Sequence, residues 1–162
     1  MSKQVKIDDV IELMLEKLNN GGKVTFTPRG TSMLPMLRDG EDVVILEKPK
    51  GRLNLFDVAF YKRDNGQYVL HRVYNFETGG CYVMCGDNQF ALEHGIRNDQ
   101  IIAVMTAFFR KGKSYTVQSL KYRFYVNLWV TTRLPRRAFG FGTRKIKRLF
   151  NKRNITDYEN KN

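Results

Sequence analysis

The sequence predicts a mainly β fold: one compact barrel or sandwich, preceded by an amphipathic helix and followed by a basic, partly helical segment. Three observations predict it. Apolar runs of four to six residues separated by turn signals fill the middle of the chain, helical spacing precedes them, and cations interleaved with aromatic residues follow them. With 162 residues, 42% of them apolar, and 11 Phe and 8 Tyr among them, the chain has material for one domain with its own core.

In order along the chain, Ile7, Val10, Ile11, Met14, Leu15 and Leu18 recur at helical spacing, with Asp8, Asp9, Glu12 and Glu16 on other faces. Asn19-Asn20-Gly21-Gly22 stops that helix with residues that accept the left-handed conformation, so residues 1–22 form an N-terminal helix packed on its own domain. Strands are expected at Val24–Thr27, Asp42–Leu46, Val58–Tyr61, Tyr68–Val73, Cys81–Cys85 and Ile101–Met105. Pro28-Arg29-Gly30, Leu37-Arg38-Asp39-Gly40, Lys48-Pro49-Lys50-Gly51, Asp64-Asn65-Gly66 and Thr78-Gly79-Gly80 supply the turns, the fourth as a hairpin. Arg110-Lys111-Gly112-Lys113 is read as the last turn, giving a β core over residues 23–113. In residues 114–162, Val117, Leu120, Phe124 and Leu128 fall on one helical stripe widened by Tyr125 and Trp129, Leu134-Pro135 breaks it, and Arg144–Phe150 forms a short basic helix.

Composition restricts the setting. The longest apolar run, Ile101–Phe109, is far below the roughly 20 residues that span a bilayer, and the N-terminus has no apolar leader. A cytoplasmic location is therefore expected. Cys81 and Cys85, four apart on a strand, would be ~13 Å from each other, beyond disulfide reach, so both are expected as free thiols. No cofactor or metal is expected. Residues 1–109 hold 13 Lys and Arg against 14 Asp and Glu, while residues 110–153 hold 14 Lys and Arg and no acid. The net charge of +12 is thus a property of the C-terminal third, and it speaks of a partner rather than of the fold.

The string that carries chemistry is Gly30-Thr31-Ser32-Met33-Leu34-Pro35-Met36-Leu37. It places a small nucleophile in a turn, with Gly30 allowing close backbone approach, Pro35 stiffening the loop, and amides around Ser32 free to face an oxyanion. A serine hydroxyl needs a base, and His71, whose imidazole is the side chain best suited to moving a proton, lies within an otherwise apolar strand. A third group must orient the imidazole; Asp87 and Glu93 are the candidates.

Gly30–Pro35 resembles the nucleophile box of the signal peptidase I family. Leu55–Tyr61 resembles its next strand, with Phe56-Asp57 where Gly-Asp is usual, His71-Arg72-Val73 its general-base box, and Gly86-Asp87-Asn88 its last box. Housekeeping bacterial members carry Lys at the base position; the endoplasmic-reticulum and archaeal types carry His. Order and rough spacing of the four boxes agree over about residues 23–113. The resemblance implies a signal peptidase-type fold and a serine endopeptidase acting on a leader or precursor peptide. It implies Ser32 as nucleophile, His71 as base and acid, and Glu93 or Asp87 as the acidic member. Gly30, Thr31, Met33 and Pro35 are then the oxyanion and substrate loop. No counterpart of the family's transmembrane anchor or cap domain is expected, and the basic segment is foreign to its pattern.

That segment, with Arg136, Arg137, Arg144, Lys145, Lys147 and Arg148, suits a peripheral contact with an anionic membrane face as well as it suits a solvated tail. Nucleic acid is disfavoured, because no stacking platform or groove-reading motif is visible. Two other functions compete with a peptidase acting in trans: a LexA-type self-cleaving protein, disfavoured by the His base and the short N-terminal region, and a catalytically silent binding module.

Overall fold

The computed structural model describes residues 7–133. The elements are α1 (Ile7–Asn19), β1 (Val24–Phe26), β2 (Val43–Glu47), β3 (Val58–Lys62), β4 (Tyr68–Phe76), β5 (Tyr82–Cys85), β6 (Glu93–Ile96), β7 (Ile101–Arg110), β8 (Lys113–Thr116) and α2 (Leu120–Thr131). The chain divides after Val126 into two compact units, and the first contains the whole sheet.

The sheet is antiparallel throughout, in the order β1-β2-β7-β3-β4-β5-β6, with β8 paired to β7. A mainly β fold is therefore right, but the expected closure into a barrel is not found. β1 and β6, at the two ends, are three and four residues long and pair with each other nowhere among the described residues. Instead the sheet branches at β7, whose one edge serves β2 while its other edge is shared, Ile101–Val104 facing β3 and Ala107–Arg110 facing β8. Register shifts at Ile45/Leu46 and Phe60/Tyr61 add to the twist.

The expected last turn proves to be the tip of a hairpin: Lys111 and Gly112, both at positive φ, reverse the chain from β7 into β8. The Asp64-Asn65-Gly66 turn forms as expected, with Asn65 Oδ1 accepting from Gln67 N and Gly66 at φ 85°. It sets the β3–β4 register, Ala59 against His71 and Tyr61 against Val69. α1 ends in a Schellman cap, Gly21 at φ 74° donating to Leu18 O and Gly22 to Lys17 O. Of its expected stripe Ile11 and Leu18 are buried, Met14 is half-buried, and Val10 and Leu15 are exposed.

One face of the sheet carries a core of Leu53, Ala59, Tyr61, Val73, Tyr82, Met84 and Ile96. On the other, Phe60 stacks on Tyr68 and meets Phe26. α2 rests on the sheet through Tyr122 and Val126, both buried, and Tyr122 packs against Phe108. The stripe expected to be its apolar edge, Leu120, Phe124 and Leu128, faces outward instead. Cys81 is half-buried and Cys85 buried, and neither is in a disulfide. No helix among the described residues is long and apolar enough to cross a membrane.

Candidate active site

The Ser32 loop joins β1 to β2 and is held by what it buries. Met33, Met36 and Leu37 are nearly inaccessible, so Met33 anchors the loop as well as lining its cleft. Arg110 donates to Pro35 O and Met36 O, and Arg38 binds the fully buried Asp42. Thr31 is exposed, Ser32 half-buried, and the Leu34–Pro35 peptide is cis. Gly30 adopts φ 102° and donates its amide to Asp39 Oδ1 at 2.8 Å, which removes that N–H from any oxyanion role. The amides of Thr31, Ser32 and Met33 donate to no group among the described residues. Three unspent donors around one hydroxyl are the raw material of an oxyanion hole.

His71 is almost wholly buried in β4. Its Nδ1 lies 2.8 Å from Glu93 Oε1 and 3.3 Å from the Tyr61 hydroxyl. Tyr61 donates to Glu93 Oε2 at 2.9 Å, and Arg63 donates to both oxygens of the same carboxylate. Burial alone would raise the Glu93 carboxyl, but the hydrogen bonds from His71, Arg63 and Tyr61 outweigh it and hold it down to about 2. Burial and the neighbouring Glu93 charge push the Tyr61 phenol up, so it remains a donor. With Nδ1 committed to a carboxylate, Nε2 is the nitrogen left to accept a proton.

Asp87 does not join this cluster. It takes both forks of Arg72, Nε to Oδ1 and Nη2 to Oδ2, each at 2.7 Å. His71 and Arg72 are successive in β4, so their side chains leave on opposite faces. His71 enters the face of Ala59, Tyr61 and Val73; Arg72 enters the other, meeting Met36 Sδ and the Tyr122 hydroxyl.

The Ser32 loop and β4 converge at Gly86. Arg72 of β4 pairs with Cys85, and Gly86 is the next residue. There β5 ends, and the 86–89 turn takes its place, closed by Gln89 N donating to Gly86 O. Ser32 O lies so close to Gly86 that a Cβ there would stand 2.7 Å from it. Asn88 clamps the loop twice, its amide donating to Ser32 O at 2.8 Å and its Nδ2 to Thr31 O at 3.1 Å. Ser32 is thus held against the turn that follows β5. Among the described residues its hydroxyl makes no hydrogen bond, to His71 or to any other group.

A cleft of about 250 Å³ opens beside Ser32, walled by Phe26, Met33, Leu37, Phe60 and Leu70 and edged by Arg29 and Arg38. His94, next to Glu93, is exposed and pairs with Glu77 away from His71. Residues 136, 137, 144, 145, 147 and 148, the cations expected to meet an anionic surface, lie outside the described residues. Tyr61, Arg63 and Asn88 are members that the sequence did not single out. No protein-family model, no curated protein and no solved structure matches the chain.

Proposed function

We propose that the chain is a serine endopeptidase of the signal peptidase I type, cleaving a leader or precursor peptide through an acyl-enzyme. The observation that carries this is the His71–Glu93–Tyr61 cluster, its imidazole and phenol buried, on a strand whose partner β5 leads directly into the glycine on which the Ser32 carbonyl rests. The antiparallel sheet supports a fold of that type, and the order of the four boxes supports the assignment of roles. Glu93 is the acidic member and Asp87 a structural one.

In this mechanism the substrate lies extended along the loop with an apolar side chain in the cleft beside Ser32. His71 Nε2 takes the hydroxyl proton as Oγ bonds to the scissile carbonyl carbon, and the amides of the 31–33 segment receive the oxyanion. The protonated imidazole is stabilised by Glu93. It returns the proton to the leaving amine as the C–N bond breaks, and water then hydrolyses the ester by the same route reversed. The Ser32–His71 hydrogen bond has to form on the way, as it often does only once substrate excludes water.

The test compares wild type with Ser32→Ala and His71→Ala on a precursor-peptide library and with a serine-directed acylating probe. Wild type should cut and be labelled, and each variant should lose at least about a thousandfold in rate. Equal cutting by wild type and Ser32→Ala would remove Ser32 as nucleophile. Labelling absent from the wild type would favour a silent binding module. Two fragments from the incubated wild type alone would identify a self-cleaving protein.

A further inference from the structure

The outward face of α2 carries three large apolar side chains, with Asn127 and Thr131 as its polar members, where a helix lying on a folded domain usually presents a polar face. Leu120 is 81% exposed, Phe124 72% and Leu128 53%. At 100° per residue these positions fall within about 80° of one another. The helix does not need them for its seat, since Tyr122 and Val126 already hold it to the sheet. Lys121 and Arg123, both exposed, flank the stripe on its two sides. Such side chains lay their stems on hydrocarbon while lifting their charges to a polar layer. The sequence on either side of the helix carries one sign of charge: no Asp or Glu occurs between Asp99 and Asp157, and residues 110–133 hold six Lys and Arg. Lys111 and Lys113 of the β7–β8 hairpin are exposed members of that stretch.

We infer that this face docks on an anionic lipid bilayer. α2 lies in the plane of the interface, Leu120, Phe124 and Leu128 enter the acyl boundary, and the flanking cations meet lipid phosphates. A nucleic acid would match the charge and leave three large apolar side chains in water. A protein groove that wraps a basic helix needs its whole circumference, and here the inner side is occupied by the sheet. A hydrocarbon layer under an anionic skin matches both the stripe and its charge. None of this rests on the peptidase assignment.

The full chain would be sedimented with vesicles of equal parts phosphatidylglycerol and phosphatidylcholine, and with phosphatidylcholine alone. Binding is expected to the first, weakly if at all to the second, and to fall as salt is added. Leu120→Ser/Phe124→Ser changes exposed positions, so its far-ultraviolet circular dichroism should match wild type while its vesicle partition drops about tenfold or more. Ser32→Ala should partition as wild type, which separates failure of docking from failure of the enzyme assignment. A folded double variant that partitions like wild type would overturn the inference. So would a wild type that ignores both vesicles, whether or not it binds duplex DNA.

Discussion

Asp87 and Glu93 lie six residues apart, and the alternation of β4 sends them to different partners: Asp87 to Arg72, Glu93 to His71. The Arg72–Asp87 side chains are each 2% exposed, and removing one partner of a buried pair leaves the other charge uncompensated, at a cost of about 3–5 kcal/mol. Asp87→Asn should therefore lower stability by that order in urea unfolding. Glu93→Gln keeps a hydrogen-bonding group beside Nδ1 but not the charge that stabilises an imidazolium, so it should fold and lose about a hundredfold or more in turnover. The pH sign follows from the Glu93 shift. Its folded pKa of about 2 lies below the ordinary 4.5, so its contribution to stability is present above about 4.5 and is lost as pH falls through about 2. Wild type should exceed Glu93→Gln in stability at neutral pH, and the gap should close on acidification. Unchanged turnover in Glu93→Gln, together with loss of turnover but not of stability in Asp87→Asn, would reverse the two roles.

At the scale of elements, the candidate site is a contact between two turns, and Gly86 is where they touch. A methyl group there would meet Ser32 O at 2.7 Å and Gln89 Oε1 at 2.9 Å. The Gln89 side chain can swing away, but the Ser32 carbonyl cannot move without its loop. Gly86→Ala should thus cost about 1–3 kcal/mol in stability and roughly a hundredfold in the rate of labelling by a serine-directed probe, through displacement of the nucleophile. An unchanged labelling rate would show that the loop position does not control Ser32. Much of this level was legible in the sequence. Turn residues marked both ends of β3, β4 and β5, and the hairpin at Asp64-Asn65-Gly66 fixed a register that places Tyr61 diagonal to His71 on the same face. β6 was not legible: Glu93-His94-Gly95-Ile96 has no strand alternation and includes a glycine at φ 72°, and its pairing of Glu93 with Met84 depends on β5. Barrel closure misled because the sum of strands does not reveal that the end strands are too short to meet. The stripe of α2 was legible as helical spacing, but spacing identifies an apolar face without saying what covers it.

Across the whole sheet-bearing unit, Arg72 ties together segments distant in sequence. Its guanidinium reaches Asp87 in the turn after β5, Phe56 O in the approach to β3, Met36 Sδ in the Ser32 loop and the Tyr122 hydroxyl on α2. Burial works against the charge, yet Asp87 and Tyr122 raise the Arg72 pKa above the ordinary arginine value, so the group stays ionised where it is. The planar fork matters, because it addresses a carboxylate with two parallel bonds and still has a third nitrogen for Phe56 and Tyr122. A lysine would supply a single charged point with no such geometry. Arg72→Lys should cost on the order of 3 kcal/mol and loosen its partners together: amide hydrogen exchange should quicken in residues 31–37, 86–89 and 120–126, while the β1–β2 pairing stays protected. Faster exchange confined to α2 would mean that Tyr122 alone depends on Arg72, and that the Ser32 loop is held by Asn88 and Arg110 without it. Loosening of all three segments would mean that the position of the nucleophile is set from behind, by a side chain that leaves the strand on the face opposite to its neighbour, the proposed base.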